Sequence, residues 1–136
     1  MIETYSTNLS VAADSSVPLN SIALIKGFAV SKQSSAMIEL NKCGLYRVNV
    51  SASAIAATAG DIKVQLKKDG TLIPQTLITA TASDTTSSHA LSFETLIQVN
   101  RNNGPCCCSS PTTIEIYNAG VGVTFNNIDV TVTRLQ

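Results

Sequence analysis

The stretch Gly44–Ala56 reads GLYRVNVSASAIA, and its side chains alternate in character along most of its length. Even positions from Tyr46 onward are apolar, whereas the odd positions from Arg47 onward are mostly polar. This period of two is typical of a strand with one face in a core and the other toward water or a partner. We therefore predict a long, half-buried strand that starts at Leu45.

The same alternation recurs elsewhere and predicts further strands. Asp69-Gly70 stands between two strand patterns, and glycine accepts the positive φ of a tight turn, so we expect Ile62–Lys67 to pair with Thr71–Thr76. No segment has a convincing helical pattern. The remaining strands are expected at Tyr5–Ala12, Ser21–Lys26, Met37–Leu40, Leu77–Ala82, Ala90–Val99, Thr112–Asn118 and Asn127–Leu135.

Short strands separated by turn signals predict an all-β fold, because an antiparallel sheet must cover its apolar face with a second layer. We expect an antiparallel two-sheet jelly-roll sandwich. The 136 residues fit a single domain, 1–136, and leave no room for a second.

Composition excludes several partners. Charged residues make up 13% of the chain, against about 25% in typical soluble proteins, and nine basic residues balance nine acidic ones. This charge balance argues against nucleic acid or a membrane as a partner. The first residues do not form a basic region followed by an apolar one, and no apolar run approaches about 18 residues, so we expect neither a signal peptide nor a membrane span.

Two segments, Val48–Gly60 and Gly70–Ser83, contain no charged residue. Exposed strands of monomers normally carry charges that prevent association between edges, so these segments are candidates for a subunit interface. The alternative is that they are central strands covered on both faces by their own domain.

Catalytic chemistry has little support. His89 is the sole histidine, and Asp84 is a candidate acid to orient it, but no nucleophile elbow accompanies them. The carboxylates are scattered along the chain. We expect a protein that is not an enzyme and has no cofactor.

The order of several short motifs resembles a known family. Asn41–Val48 leads into the long strand, Lys68–Thr71 forms the hairpin, and Val132–Leu135 closes the last strand. This arrangement resembles the jelly roll of the tumour necrosis factor and complement globular-head superfamily, and Gly44-Leu45-Tyr46-Arg47-Val48 is similar to its Gly-x-Tyr-x-Val. The resemblance covers nearly the whole chain. The chain has no collagen-like stalk, so a secreted defence or cytokine role is not expected.

More particularly, the chain resembles small phage structural proteins of Firmicutes viruses, in which a segment like Asn102–Pro111 precedes the penultimate strands. This resemblance implies a homotrimer on the virion surface, a capsid-decoration or head-fibre subunit made in the host cytoplasm. Its partners would be itself and capsid or fibre proteins, and Met1–Thr7 is a candidate docking arm.

Two alternatives stay open. The first is a receptor- or glycan-binding tip of a phage fibre, whose loops Ser31–Ser35, Asp84–Ser88 and Asn100–Pro111 would contact the host cell surface. The second is a trimeric module of a bacterial surface or spore.

Four cysteines are the chemically reactive cluster of the sequence. Cys106, Cys107 and Cys108 lie in a loop opened by a Gly-Pro pair, and Cys43 lies at the base of another loop. They can be free or buried thiols, disulfides within or between subunits, or thiols that meet at a trimer axis. A metal site is the remaining alternative, but the Cys-x₂-Cys spacing of structural zinc sites is missing. We expect no metal.

Aromatic residues are few, with three Tyr, three Phe and no Trp, so the chain lacks the stacking platforms typical of carbohydrate or single-strand binding. Four of them lie on strand patterns and are candidates for core or trimer packing: Tyr46, Phe93, Tyr117 and Phe125.

Overall fold

A computed structural model gives the structure of residues 1–99 and 107–136, with only the backbone described for residues 107–111. No helix of the described residues is long and apolar enough to cross a membrane. A single 3₁₀ turn occupies Pro74–Thr76 in this part of the chain. The strands are β1 (Ile2–Val11), β2 (Ser15–Ser16), β3 (Ser21–Ile25), β4 (Val30–Lys32), β5 (Ile38–Lys42), β6 (Gly44–Ala56), β7 (Gly60–Lys68), β8 (Thr71–Leu72), β9 (Ile78–Ala82), β10 (Ser88–Val99), β11 (Cys107–Asn118) and β12 (Val123–Arg134).

These strands form two antiparallel sheets, as the sequence predicts. The first sheet has the order β10-β6-β12-β1-β3. The second has the order β4-β5-β11-β7-β8, with β9 also paired to β7 and β2 to β11. Neighbours in space are mostly distant in sequence, so the chain passes back and forth between the two sheets.

The core lies between the sheets and contains the even-numbered side chains of β6. Val50 stands opposite Val130 of β12 on one side and Phe93 of β10 on the other. Tyr46 and Val48 are also fully buried. Burial of each large apolar side chain contributes about 1.5–3 kcal/mol, so the period-two pattern fixes which face of the strand points inward.

The Asp69-Gly70 hairpin forms as predicted, with φ of 51° at Asp69 and 82° at Gly70. Two successive positive φ angles are the signature of a two-residue type I′ turn. The expected strand over Thr71–Thr76 is wrong beyond Leu72, because Pro74 has no N–H to give to a ladder and a 3₁₀ turn begins there. The remaining length of β7 pairs with β9 instead.

Several strands begin earlier than expected; β11, for example, begins at Cys107, so Cys107 and Cys108 lie on a strand and not in the expected loop. In β1 and β12 the reason is that apolar residues at the strand ends find partners. β1 starts at Ile2, which is fully buried opposite Val132. β12 starts at Val123, which stands opposite Val11 and Ala56. Both sites show that pairing across the sheet, and not local turn signals alone, sets where a strand ends.

Both chain ends lie at one end of the sandwich, which we call the terminal end. Lys26 N–H donates to the carbonyl of Met1 at 2.8 Å, and Leu135 N–H donates to the carbonyl of Leu45 at 2.6 Å. The opposite end, which we call the far end, holds the turns after β1, β6, β9 and β11.

Candidate functional site

One face of the first sheet is left open by the fold. The inner face packs on the second sheet, whereas the odd-numbered side chains of β6 and their cross-strand neighbours point away from it. Residues that stand opposite one another share a face. We call this surface the open face; its central residues are Asn49, Ser51 and Ser53 of β6, Asn127, Asp129 and Thr131 of β12, Ser92 and Glu94 of β10, and Glu3 and Tyr5 of β1.

The open face is polar and mostly uncharged, apart from Glu3, Arg47, Glu94 and Asp129. Arg47 and Glu94 form an ion pair at 3.5 Å near its edge, and both side chains are about half exposed. Such a pair contributes less than about 1 kcal/mol in water. The neutral segment Val48–Gly60 therefore does not lie under a second layer of its own domain, since β6 has one face in the core and one on this surface.

A pair of carboxyl groups interrupts this neutrality. Oδ1 of Asp129 is buried and has no hydrogen-bond partner among the described residues. Burial raises the pKa of Asp129 to about 6, and the hydrogen bond and negative charge of the Glu3 carboxyl add to the rise. A hydrogen bond from the Val130 backbone acts in the opposite direction.

Apolar side chains stand exposed at both edges of the same sheet. Leu96 on β10 is 53% exposed and lies opposite Arg47 on the open face. Leu24 on β3, at the other edge, lies opposite Glu3 and is 42% exposed. The two apolar edges differ from each other. A contact in which one edge of a copy meets a different surface of its neighbour therefore fits this sheet better than a contact that pairs one surface with itself.

The four candidate aromatic residues are placed differently from one another. Tyr46 and Phe125 are fully buried inside their own sandwich, as the core alternative expects, and trimer packing by these residues stays a prediction. The Tyr46 hydroxyl donates to the carbonyl of Lys42 at 2.6 Å. Phe93 faces the interior, and the Tyr117 ring lies 3.9 Å from Nζ of Lys67, a cation–π contact. For Phe93 and Tyr117, contact between subunits stays a prediction.

Cys43 lies between β5 and β6 and is disulfide-bonded. Its carbonyl oxygen accepts hydrogen bonds from Nη2 and Nε of Arg134, at 2.7 and 3.1 Å. Cys106 and the side chains of Cys107 and Cys108 lie outside the described residues, so the roles predicted for these three stay predictions. Among the described residues, no group of three or more His, Cys, Asp or Glu side chains is arranged to hold a metal ion.

His89 and Asp84 are not brought together as an acid–base pair. The Asp84 carboxylate accepts hydrogen bonds from the backbone N–H groups of Ser87 at 2.8 Å and Thr86 at 3.0 Å, which lower its pKa. Nε2 of His89 is buried without a partner among the described residues. Asp84 therefore stabilises its own loop.

The expected docking arm, residues 1–7, is largely a part of the sheet. Ile2, Thr4 and Ser6 are buried, and Thr4 Oγ1 donates to the carbonyl of Ser21 at 2.7 Å. β1 also pairs with a strand on each side. Residues 2–7 are therefore ordered within the sheet, and docking through residues 1–7 stays a prediction.

An exposed aromatic side chain, Phe28, lies on the connection between β3 and β4. Phe28 is 86% exposed, the highest value among the large apolar side chains of the described residues. No sequence signal marks it, because one phenylalanine between turn residues is equally consistent with burial.

A shallow depression of about 240 Å³ lies beside the predicted Ser31–Ser35 loop. Its lining is Leu19, Asn20, Ile22 and residues 32–35. Nζ of Lys32 donates to the carbonyls of Leu19 and Ser35, and burial lowers the pKa of Lys32. The depression therefore offers one cation, two hydroxyls and two amides, although the cation already donates hydrogen bonds to backbone carbonyls.

The architecture is similar to that of several solved structures, although no sequence relative is found. No protein-family model and no curated protein sequence matches the chain. Among solved structures, the PRD1 vertex protein P5 is similar, with 18% identity, a TM-score of 0.63, and coverage of 99% of this chain and 96% of that one. Murine APRIL is similar at 8% identity and a TM-score of 0.63, covering 96% of this chain and 98% of that one.

The globular domain of the zebrafish complement 1qA protein is also similar, at 9% identity and a TM-score of 0.57, covering 98% of this chain and 96% of that one. These similarities extend over nearly the full length of each protein. They confirm the predicted fold: the chain is an all-β, two-sheet jelly roll of the tumour-necrosis-factor and complement globular-head type.

Proposed function

We propose that this chain is a non-enzymatic virion structural protein, a trimeric capsid-decoration or head-fibre subunit on the particle surface. The observation that carries the proposal is the open face, a broad and mostly uncharged polar surface of the first sheet with apolar side chains at both edges. The fold shared with a phage vertex protein along nearly both full lengths supports the virion setting.

The trimer would form by a cyclic contact between unlike surfaces. The β10 edge of one copy, with Leu96, would pack on the open face of the next copy, and the third contact would close the ring. A closed ring leaves no unsatisfied edge, whereas an open arrangement would grow into a filament. Neutral Ser, Asn and Thr side chains suit such a contact, because burying them with hydrogen bonds costs less than burying charges.

Mass spectrometry of purified virus particles from a culture that carries the gene tests the virion setting. The proposal predicts peptides of this chain in particles banded on a density gradient, at a constant ratio to the major capsid protein. Their absence from the particles, with the protein present in the cell lysate, would overturn the virion role.

The depression beside Ser31–Ser35 favours a second candidate, a receptor- or glycan-binding tip. Its polar lining could contact sugar hydroxyls, but its volume lies below the range of about 300–1,000 Å³ typical of ligand pockets. A glycan array that includes host cell-wall sugars tests this candidate: saturable binding that Lys32→Ala removes would support it. A bacterial surface or spore module remains the third hypothesis, for which gene neighbours would be spore or surface genes and not capsid genes.

A further inference from the structure

The terminal end of the sandwich combines one exposed aromatic ring with several cationic side chains. Phe28 is 86% exposed, and Ile25, at the end of β3, is 48% exposed. Lys26, Lys42 and Arg134 are exposed at the same end. We call these five residues the basic end.

Phe28 is held by the chain on both sides and is not carried on a free tip. Gly27 has a φ of +79°, which L residues rarely adopt, and it turns the chain out of β3. The amide of Asn41 donates from Nδ2 to the carbonyl of Phe28 at 3.2 Å, and Asn41 N–H donates to the carbonyl of Ala29 at 2.8 Å. A ring presented from a fixed backbone loses little conformational entropy when a partner binds it.

The cations at this end are poorly neutralised. The side chains of Lys26 and Lys42 have no hydrogen bond or ion pair within the described part of the chain. Among the described residues, the Arg134 side chain donates to the carbonyl of Cys43, which does not neutralise its charge. Two acidic residues lie nearby, Glu3 opposite Leu24 and Glu39 on β5, but neither forms an ion pair with these cations in the described part of the chain.

The far end has the opposite character. Asp14, Asp61 and Asp84 are exposed there, and Lys63 is the basic residue among them. Among the exposed residues named here, the two ends of the sandwich therefore carry charges of opposite sign. Such a separation orients the molecule toward a charged partner before contact.

We propose that the basic end is a docking surface for an acidic protein surface with an apolar recess that accepts the Phe28 ring. The inference rests on the proposed function, in which that partner belongs to the virus particle. Aromatic side chains are enriched at the centre of protein interfaces, where they fill pockets of the partner, and polar or charged residues occupy the rim. A membrane is a weaker fit, because each cation adds only about 1 kcal/mol at an anionic surface and the end offers few of them.

Rebinding to particles tests the docking surface. Particles are prepared from a virus whose copy of the gene is deleted, and purified protein is added back. Phe28→Ser and the double variant Lys26→Glu/Lys42→Glu are each expected to weaken rebinding at least tenfold. The controls, Leu77→Ser at another exposed apolar residue and Lys63→Glu at a lysine of the far end, should rebind within about twofold of wild type.

The outcomes separate the two proposals. If the protein is absent from normal particles, the proposed function fails and the docking inference fails with it. If the protein is present but both basic-end variants rebind like wild type, the docking inference alone is overturned. A changed native mass of the Phe28→Ser variant would assign the ring to a contact between copies. Binding of wild type, but not of Phe28→Ser, to phosphatidylglycerol vesicles would assign the ring to lipid. Either result overturns the inference.

Discussion

At the residue scale, Asp129 shows how a polar face can make stability depend on pH. Its pKa, raised to about 6 from an ordinary value of 3.8, means that the folded protein holds the proton more tightly than the unfolded chain does. The stabilising contribution of this proton is therefore fully present below about pH 4, and it is lost as the pH rises through 6.

Replacement of the carboxyl by an amide tests this directly. Asp129→Asn is expected to raise the thermal midpoint at pH 7.5 and to flatten its dependence on pH between about 4 and 7, because the variant has no carboxyl to deprotonate. Thermal denaturation followed by circular dichroism at a series of pH values measures it. Asp84→Asn is the control. Hydrogen bonds lower the pKa of Asp84, so this replacement should not change the slope of the thermal midpoint against pH between about 4 and 7. An unchanged slope in Asp129→Asn would contradict the account.

Thr76 is the second residue whose replacement should have a clear effect on stability. Its hydroxyl accepts from Leu66 N–H at 2.9 Å and donates to the carbonyl of Ile73 at 2.7 Å, and the side chain is 1% exposed. Thr76→Val keeps the shape but leaves two backbone groups without this partner, so we expect a loss of about 1–3 kcal/mol in the free energy of unfolding. Urea denaturation measures the loss. Thr79→Val, at an exposed position of β9, should change stability by less than about 0.5 kcal/mol, and equal effects of the two variants would refute the role of the hydroxyl.

At the element scale, β10 is the edge strand on which the proposed assembly depends. Its Leu96 side chain points to the open face, where it has no layer of its own domain above it. An exposed edge strand with an apolar side chain promotes aggregation of a lone subunit, whereas assembly covers that side chain in a contact.

A charge at this position should therefore disrupt assembly without unfolding the subunit. Leu96→Glu is expected to shift the native mass from three chains toward one, because the new carboxylate would be buried in the contact beside an Arg47 that is already paired with Glu94. Light scattering on a sizing column measures the shift, with circular dichroism to verify the fold. Met37→Glu makes the same change on the second sheet's side, at a residue that is 36% exposed, and should keep the mass of the wild type. A Leu96→Glu protein that stays at three chains would exclude β10 from the contact.

At the scale of the whole molecule, the periodic strands could be predicted from sequence, whereas isolated features could not. β6 and β12 were predictable because alternation over many residues leaves one consistent inner face. The strand after Gly70 was predicted too long, since Pro74 lies inside a pattern that otherwise looks extended. Phe28 and the separation of charge between the two ends depend on which loops the topology brings together, and local sequence does not contain that information.

The central claim is that the open face joins three copies, and the native mass of the purified protein tests it most directly. Light scattering on a sizing column, with and without reductant, should give about three times the 14.3 kDa of one chain in both conditions. Assembly through the open face does not depend on the cysteines, so reductant should not change the native mass. A mass of one chain in both conditions would contradict the claim, and a trimer lost on reduction would transfer the role to the disulfides.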